Sequence, residues 1–141
     1  MGLLIPPVLD AMRGDIQATQ LPESYVGVLA TADGQPGLIV SSLRKGLIVD
    51  LKQVTPVAVP SGKALYLWSI DKAGVAHAVA PVPNKRFTSV RLTASSEQTF
   101  MDTVELAVSL EAENTAPLQP TSSFVYRGLC GKIWMPPGAL N

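Results

Sequence analysis

Apolar and polar residues alternate along much of this chain with a period of two, the spacing of half-buried β-strands. The pattern is cleanest from Thr103 to Glu111. There Val104, Leu106, Val108 and Leu110 fall on one face, and Thr103, Glu105, Ser109 and Glu111 fall on the other. The same alternation predicts strands at Leu47–Lys52 and Arg86–Thr93. Tyr25–Thr31 and Gly37–Leu43 flank Asp33-Gly34, a tight-turn signal. A weaker strand runs from Val75 to Ala80 and is expected to stop at Pro81. Phe124 to Trp134 reads as a long closing strand, bulged at Gly128 and Gly131. Leu65–Asp71 departs from the pattern, with Leu65 and Leu67 on one face and Tyr66, Trp68 and Ile70 on the other. A strand apolar on both faces is expected to be central and covered on both sides, with Trp68 filling the core.

Helical signals are few. Ser95 and Gln98 stand at capping-box spacing and predict one or two turns through Met101. Pro6, Pro7 and Pro22 break anything regular before residue 24, leaving at most a short helical turn between Met12 and Gln20. The sum predicts an all-β fold, an antiparallel β-sandwich of about eight strands with at most one short helix. The expected organisation is a linker or arm over 1–23, the sandwich over 24–135 and a tail over 136–141.

Composition narrows the function. The chain has 141 residues, enough for one domain with its own core. Formal net charge is zero and charged residues make up 16%. The longest basic runs, Arg44-Lys45 and Lys85-Arg86, fall at turns, so no nucleic-acid partner is expected. Apolar residues at Leu3–Leu9 are cut by prolines and fall short of the ~20 that a membrane span needs. They also lack the basic start of a signal peptide. The abrupt apolar opening suggests that Met1 is not the native start.

Candidate chemistry is sparse. The single cysteine, Cys130, cannot form an intrachain disulfide and is expected to behave as a small hydrophobe. The single histidine, His77, lies among Val75, Ala76, Ala78 and Val79, and is expected at a solvent edge rather than in a triad. One His and one Cys do not make a zinc site. Asp102, Glu105, Glu111 and Glu113 lie on or near one strand, where its polar face accounts for them without a glycosidase pair. Arg127–Lys132 lacks the spacing of a phosphate loop. No enzymatic activity is expected, and no catalytic, cofactor-binding or metal-ligating residue is assigned. Tyr66, Trp68, Phe124, Tyr126 and Trp134 would suit a sugar-stacking platform if they were exposed and coplanar. That is the alternative function, a secreted carbohydrate-binding module.

Four stretches, in order, resemble the extracytoplasmic C-terminal domain of anti-sigma-K-type anti-sigma factors. They are Tyr25-Val26-Gly27-Val28-Leu29 before Asp33-Gly34, Leu65-Tyr66-Leu67-Trp68-Ser69-Ile70, Leu106-Ala107-Val108-Ser109-Leu110-Glu111, and Pro120-Thr121 followed by Val125-Tyr126-Arg127-Gly128. Ala112-Glu113-Asn114 stands where the family carries Pro and Gly-Gly-Ser. The resemblance implies a regulatory periplasmic domain of a single-pass inner-membrane protein acting in signal transduction. A cytoplasmic N-terminal domain, outside this chain, would hold the sigma factor, and a membrane protease would release it. Residues 3–23 would then lie near the membrane and be the segment cut. A homodimer through an open edge at Phe124–Trp134 is a further expectation.

Overall fold

The computed structural model describes residues 23–133. The expected arm, the tail and Trp134 lie outside them. Among the described residues nine strands carry the fold: β1 (Ser24–Ala30), β2 (Pro36–Leu43), β3 (Ile48–Gln53), β4 (Lys63–Asp71), β5 (Ala76–Val82), β6 (Phe87–Arg91), β7 (Thr103–Ala112), β8 (Phe124–Leu129) and β9 (Gly131–Ile133). One helix, α1 (Ser96–Phe100), sits between β6 and β7, and the Ser95 hydroxyl caps it by accepting from the Gln98 amide at 3.2 Å. The all-β antiparallel fold is as the alternation predicts.

The strands form one sheet in the order β5-β4-β7-β8-β1-β2-β3-β6, with β9 also paired to β1. Every ladder is antiparallel. The sheet rolls until it is nearly closed, and its inner face holds the core. Leu29, Leu38, Val40, Val49, Leu51, Leu65, Leu67, Leu106 and Val108 meet there, each almost wholly buried. Burial of this kind contributes about 1.5–3 kcal/mol per large side chain. Tyr126 joins them from β8. Its ring lies where a Cβ on Gly37 would stand, 2.4 Å away, so only glycine fits beneath it. Its hydroxyl accepts from Gln53 Nε2 at 2.9 Å and donates to the Thr55 carbonyl at 2.7 Å.

Three expectations need correction. β5 runs through Pro81 to Val82 instead of stopping at Pro81. It is an end strand of the sheet, and at an edge a proline's missing N–H can face away from the ladder. The closing strand divides at Cys130, whose amide turns to the Val104 carbonyl at 2.9 Å. β8 then pairs chiefly with β7, and β9 pairs with β1. With β7 on one side and β1 on the other, β8 is an interior strand, so the β8 part of the expected dimer edge is occupied, while β9 is paired to β1 alone. Gly128 makes this possible, because a Cβ there would sit 2.4 Å from the Val28 carbonyl oxygen and 3.0 Å from Leu29 Cα.

Candidate functional site

β4 and β7 are neighbours in the middle of one half of the sheet, and both of their faces are covered. The inner face takes Leu65, Leu67, Leu106 and Val108 into the core. The outer face carries Trp68, Ala107, Ser109 and Glu111, all buried. Trp68 is therefore buried as expected, but on the side of the sheet away from the Leu65–Leu67 core. The polar face of β7 is not a solvated face either. The chain after β7 folds back so that Thr121 donates its amide and hydroxyl to Glu111, at 3.1 and 2.6 Å. Ser109 donates to the same carboxylate at 2.5 Å and accepts from Trp68 Nε1 at 2.8 Å. Burial pushes the Glu111 carboxyl up, but the bonds from Ser109 and Thr121 and the charge of Lys63 outweigh it and hold it below its usual value.

The other acids are held apart from Glu111. Glu105 pairs with Arg127, which also lies over the Phe124 ring at 5.6 Å. Glu113 lies past the end of β7 and is exposed, and Asp102 precedes that strand. No two of these carboxylates share a partner that would pair them across a substrate.

His77 is exposed, at the solvent edge where its sequence context puts it. It has a partner that the sequence did not reveal: its Nε2 lies 2.8 Å from Asp71 Oδ2. Asp71 closes the β4–β5 turn by accepting the Ala73 and Val75 amides at 2.9 and 3.0 Å. The His77 bond, with these amides, lowers the Asp71 carboxyl below its ordinary value. The hairpin register, with Ser69 opposite His77, was the signal that could have joined these residues. Among the described residues no three metal-ligating side chains converge. Cys130 is half-buried against the core, and burial pushes its thiol up, away from the reactive thiolate.

Among the described residues the aromatics do not form a platform. Tyr66 and Trp68 stand 5.4 Å apart, tilted by 48°, on the outer face of β4. Tyr126 points into the core and Phe124 is half-buried. The exposed aromatic among the described residues is Phe87 on β6, flanked by Lys52 and Arg86 at 5.5 and 5.7 Å from its ring. One aromatic between two cations lacks the flat apolar surface on which successive sugar rings stack. No helix among the described residues is long and apolar enough to cross a membrane.

Comparison with known families gives one result. The family model described as "Anti-sigma-K factor rskA, C-terminal" matches residues 9–124. Comparisons with curated proteins and with solved structures returned no match.

Proposed function

This chain belongs to the anti-sigma-K factor rskA C-terminal family, and on that premise we propose that it is the extracytoplasmic regulatory domain of a membrane-anchored anti-sigma factor. Membership supports a role in anti-sigma regulation, with a sigma factor as the ultimate partner. The finer reading concerns how the domain acts. A segment outside the domain holds the sigma factor, a membrane helix joins the two, and a protease in the membrane severs the link.

The domain's part in this scheme is steric and thermodynamic. Proteases cut backbone that can locally unfold, and a sheet rolled on one core withholds its strands from them. A ligand or partner that binds only the folded domain adds protection, and one that favours an opened form removes it. The observation that carries the proposal is the family match, which runs through the Trp68 and Glu111 strands. The fastening of β4, β7 and the Thr121 segment is consistent with a domain built to stay shut. No open edge at β8 favours a dimer there. Among the described strands, β5 and β6 end the sheet and β9 is paired to β1 alone, so self-association through an edge would use one of these.

Limited proteolysis with mass mapping tests the protective role. First cuts within residues 3–23, with 25–133 resisting, are expected. First cuts inside the strands would contradict it.

A further inference from the structure

One row on the outer face of the sheet is apolar and exposed. The registers set Ser24 of β1 between Ile133 of β9 and Leu43 of β2. Leu43 and Ile48 each lie two residues beyond the paired Ser41 and Asp50, so they share one face at one end of the sheet. Ile48 stands opposite Arg91 of β6. The row therefore runs Ile133, Ser24, Leu43, Ile48, Arg91. Ile133 is 49% exposed, Leu43 70% and Ile48 41%. Leu47, in the β2–β3 connection, adds a fourth exposed apolar side chain. The outer face of β4 and β7 differs, because the Thr121 segment folds over it.

The same end carries cations and the entry of the chain. Lys45, in the β2–β3 connection, and Arg91 are both exposed. Arg44 is held by Glu97 at 3.6 Å. Glu23 is a half-buried carboxylate adjoining the row. Its amide donates to the Ile133 carbonyl at 2.8 Å, and its carbonyl accepts from the Arg44 amide at 2.9 Å. These two bonds fix the point where the preceding chain meets the sheet, beside Ile133 and Leu43.

We propose that this end of the sheet rests on a lipid bilayer surface, with Leu43, Leu47, Ile48 and Ile133 set into the headgroup–acyl boundary and Lys45 and Arg91 against lipid phosphates. The proposal rests on the reading that the domain is anchored through the chain preceding β1. An anchor on that side turns this end toward the bilayer, and a surface kept close by a tether needs little affinity of its own. Apolar burial supplies that affinity, and the two cations bias it toward anionic lipid. A domain seated this way closes access to the chain between the bilayer and Ser24, the segment that the regulatory reading makes the cut site.

The test sediments the whole chain with vesicles of phosphatidylcholine alone or mixed in equal parts with phosphatidylglycerol, and reads the footprint by amide hydrogen exchange. Binding is expected to be about fivefold tighter to the mixed vesicles, with new protection confined to residues 43–48 and 131–133. Leu43→Ser with Ile133→Ser is expected to weaken binding at least about tenfold. Lys45→Glu with Arg91→Glu is expected to remove the preference for the mixed vesicles. Leu118→Ser is the control, because Leu118 is 89% exposed in the β7–β8 connection at the opposite end of the sheet, and it should leave binding unchanged. All these positions are exposed, so the variants should keep the parental unfolding temperature, and the footprint of the parent decides independently of them. The proposal is overturned by absence of binding, by equal binding of the parent and the Leu43–Ile133 variant, by an equal loss with Leu118→Ser, or by protection elsewhere. Exchange at the row slowed by protein concentration alone would assign it to a second copy of the chain and overturn the proposal. Exchange there that quickens once residues 1–22 are cleaved away would assign it to that segment, with the same result. Failure here leaves the anti-sigma reading standing, because reporter transcription tests that reading without vesicles.

Discussion

Trp68 Nε1 donates to Ser109 Oγ at 2.8 Å along a diagonal of the β4–β7 ladder. The register sets Trp68 opposite Ala107 and Ser109 opposite Tyr66, so the bond ties together two rungs of the sheet. Ser109 passes its own proton toward Glu111, and Glu111 in turn holds the Thr121 amide and hydroxyl. A single serine thus links the indole on β4 to the segment after β7. Removing its hydroxyl strands a buried donor and weakens the hold on a buried carboxylate. Ser109→Ala is expected to cost about 2–4 kcal/mol. Trp68→Phe, which keeps most of the ring and loses only the donor, is expected to cost about 1–2 kcal/mol. Urea unfolding of the two variants checks the order. Equal small losses would mean that the diagonal bond carries little.

Glu111 makes the same network sensitive to acid. Its carboxyl is lowered in the fold from an ordinary value of 4.5. A depressed folded-state value means that the contribution is fully present above about pH 4.5 and is lost as pH falls through the lower folded value. Stability should therefore be flat with respect to this group near neutrality and decline below about pH 4.5. Glu111→Gln should be less stable than the parent at pH 7, and the gap should narrow in acid. Asp71, also lowered, keeps its own acid dependence in that variant. Unfolding free energies measured from pH 7 to pH 3 give the two curves. A gap that stays constant would show that Glu111 does not titrate in this way.

At the crossing of β1 and β8 the backbones approach too closely for a side chain. A Cβ on Gly128 would meet the Val28 carbonyl oxygen and Leu29 Cα, neither of which can rotate away. Gly128→Ala is expected to destabilise the domain by about 2–3 kcal/mol through forced backbone movement. Gly34→Ala is the control. It also strains a left-handed turn, but it meets no neighbouring atom, and should cost about 1 kcal/mol. Thermal unfolding of the two variants compares them directly.

Tyr126 fastens the β3–β4 connection from beneath. Tyr126→Phe leaves Gln53 Nε2 and the Thr55 carbonyl without this partner. About 1–3 kcal/mol should be lost, and amides near residues 53–57 should exchange faster while the β4–β7 ladder keeps its protection. Uniform acceleration across the sheet would point to global weakening instead.

Much of the fold was legible because it is local. Val49 and Leu51 alternate with Asp50 and Lys52, and Thr88 and Val90 with Ser89 and Arg91, in the burial pattern that their spacing announces. The α1 cap was visible as Ser95 and Gln98. What stayed hidden depends on contacts distant in sequence. Alternation assigns Ser109 and Glu111 to one face, but it does not say that Thr121 will fold over that face and bury it. Nor does it say that Ala30 will pair with Arg127, which sets β1 beside β8 and makes β8 an interior strand. The Asp71–His77 bond was missed for a related reason. Asp71 ends one strand of the sequence pattern and His77 lies in the next, and only the hairpin register brings them together.

The most direct measurement of the regulatory claim is sigma-dependent reporter transcription in cells carrying the complete natural reading frame, either parental or bearing Gly128→Ala. If the folded domain restrains release of the sigma factor, the destabilised variant raises reporter output, and the full-length protein gives way to a shorter membrane fragment. Unchanged output, with the variant domain demonstrably unfolded and the full-length protein intact, would contradict the account.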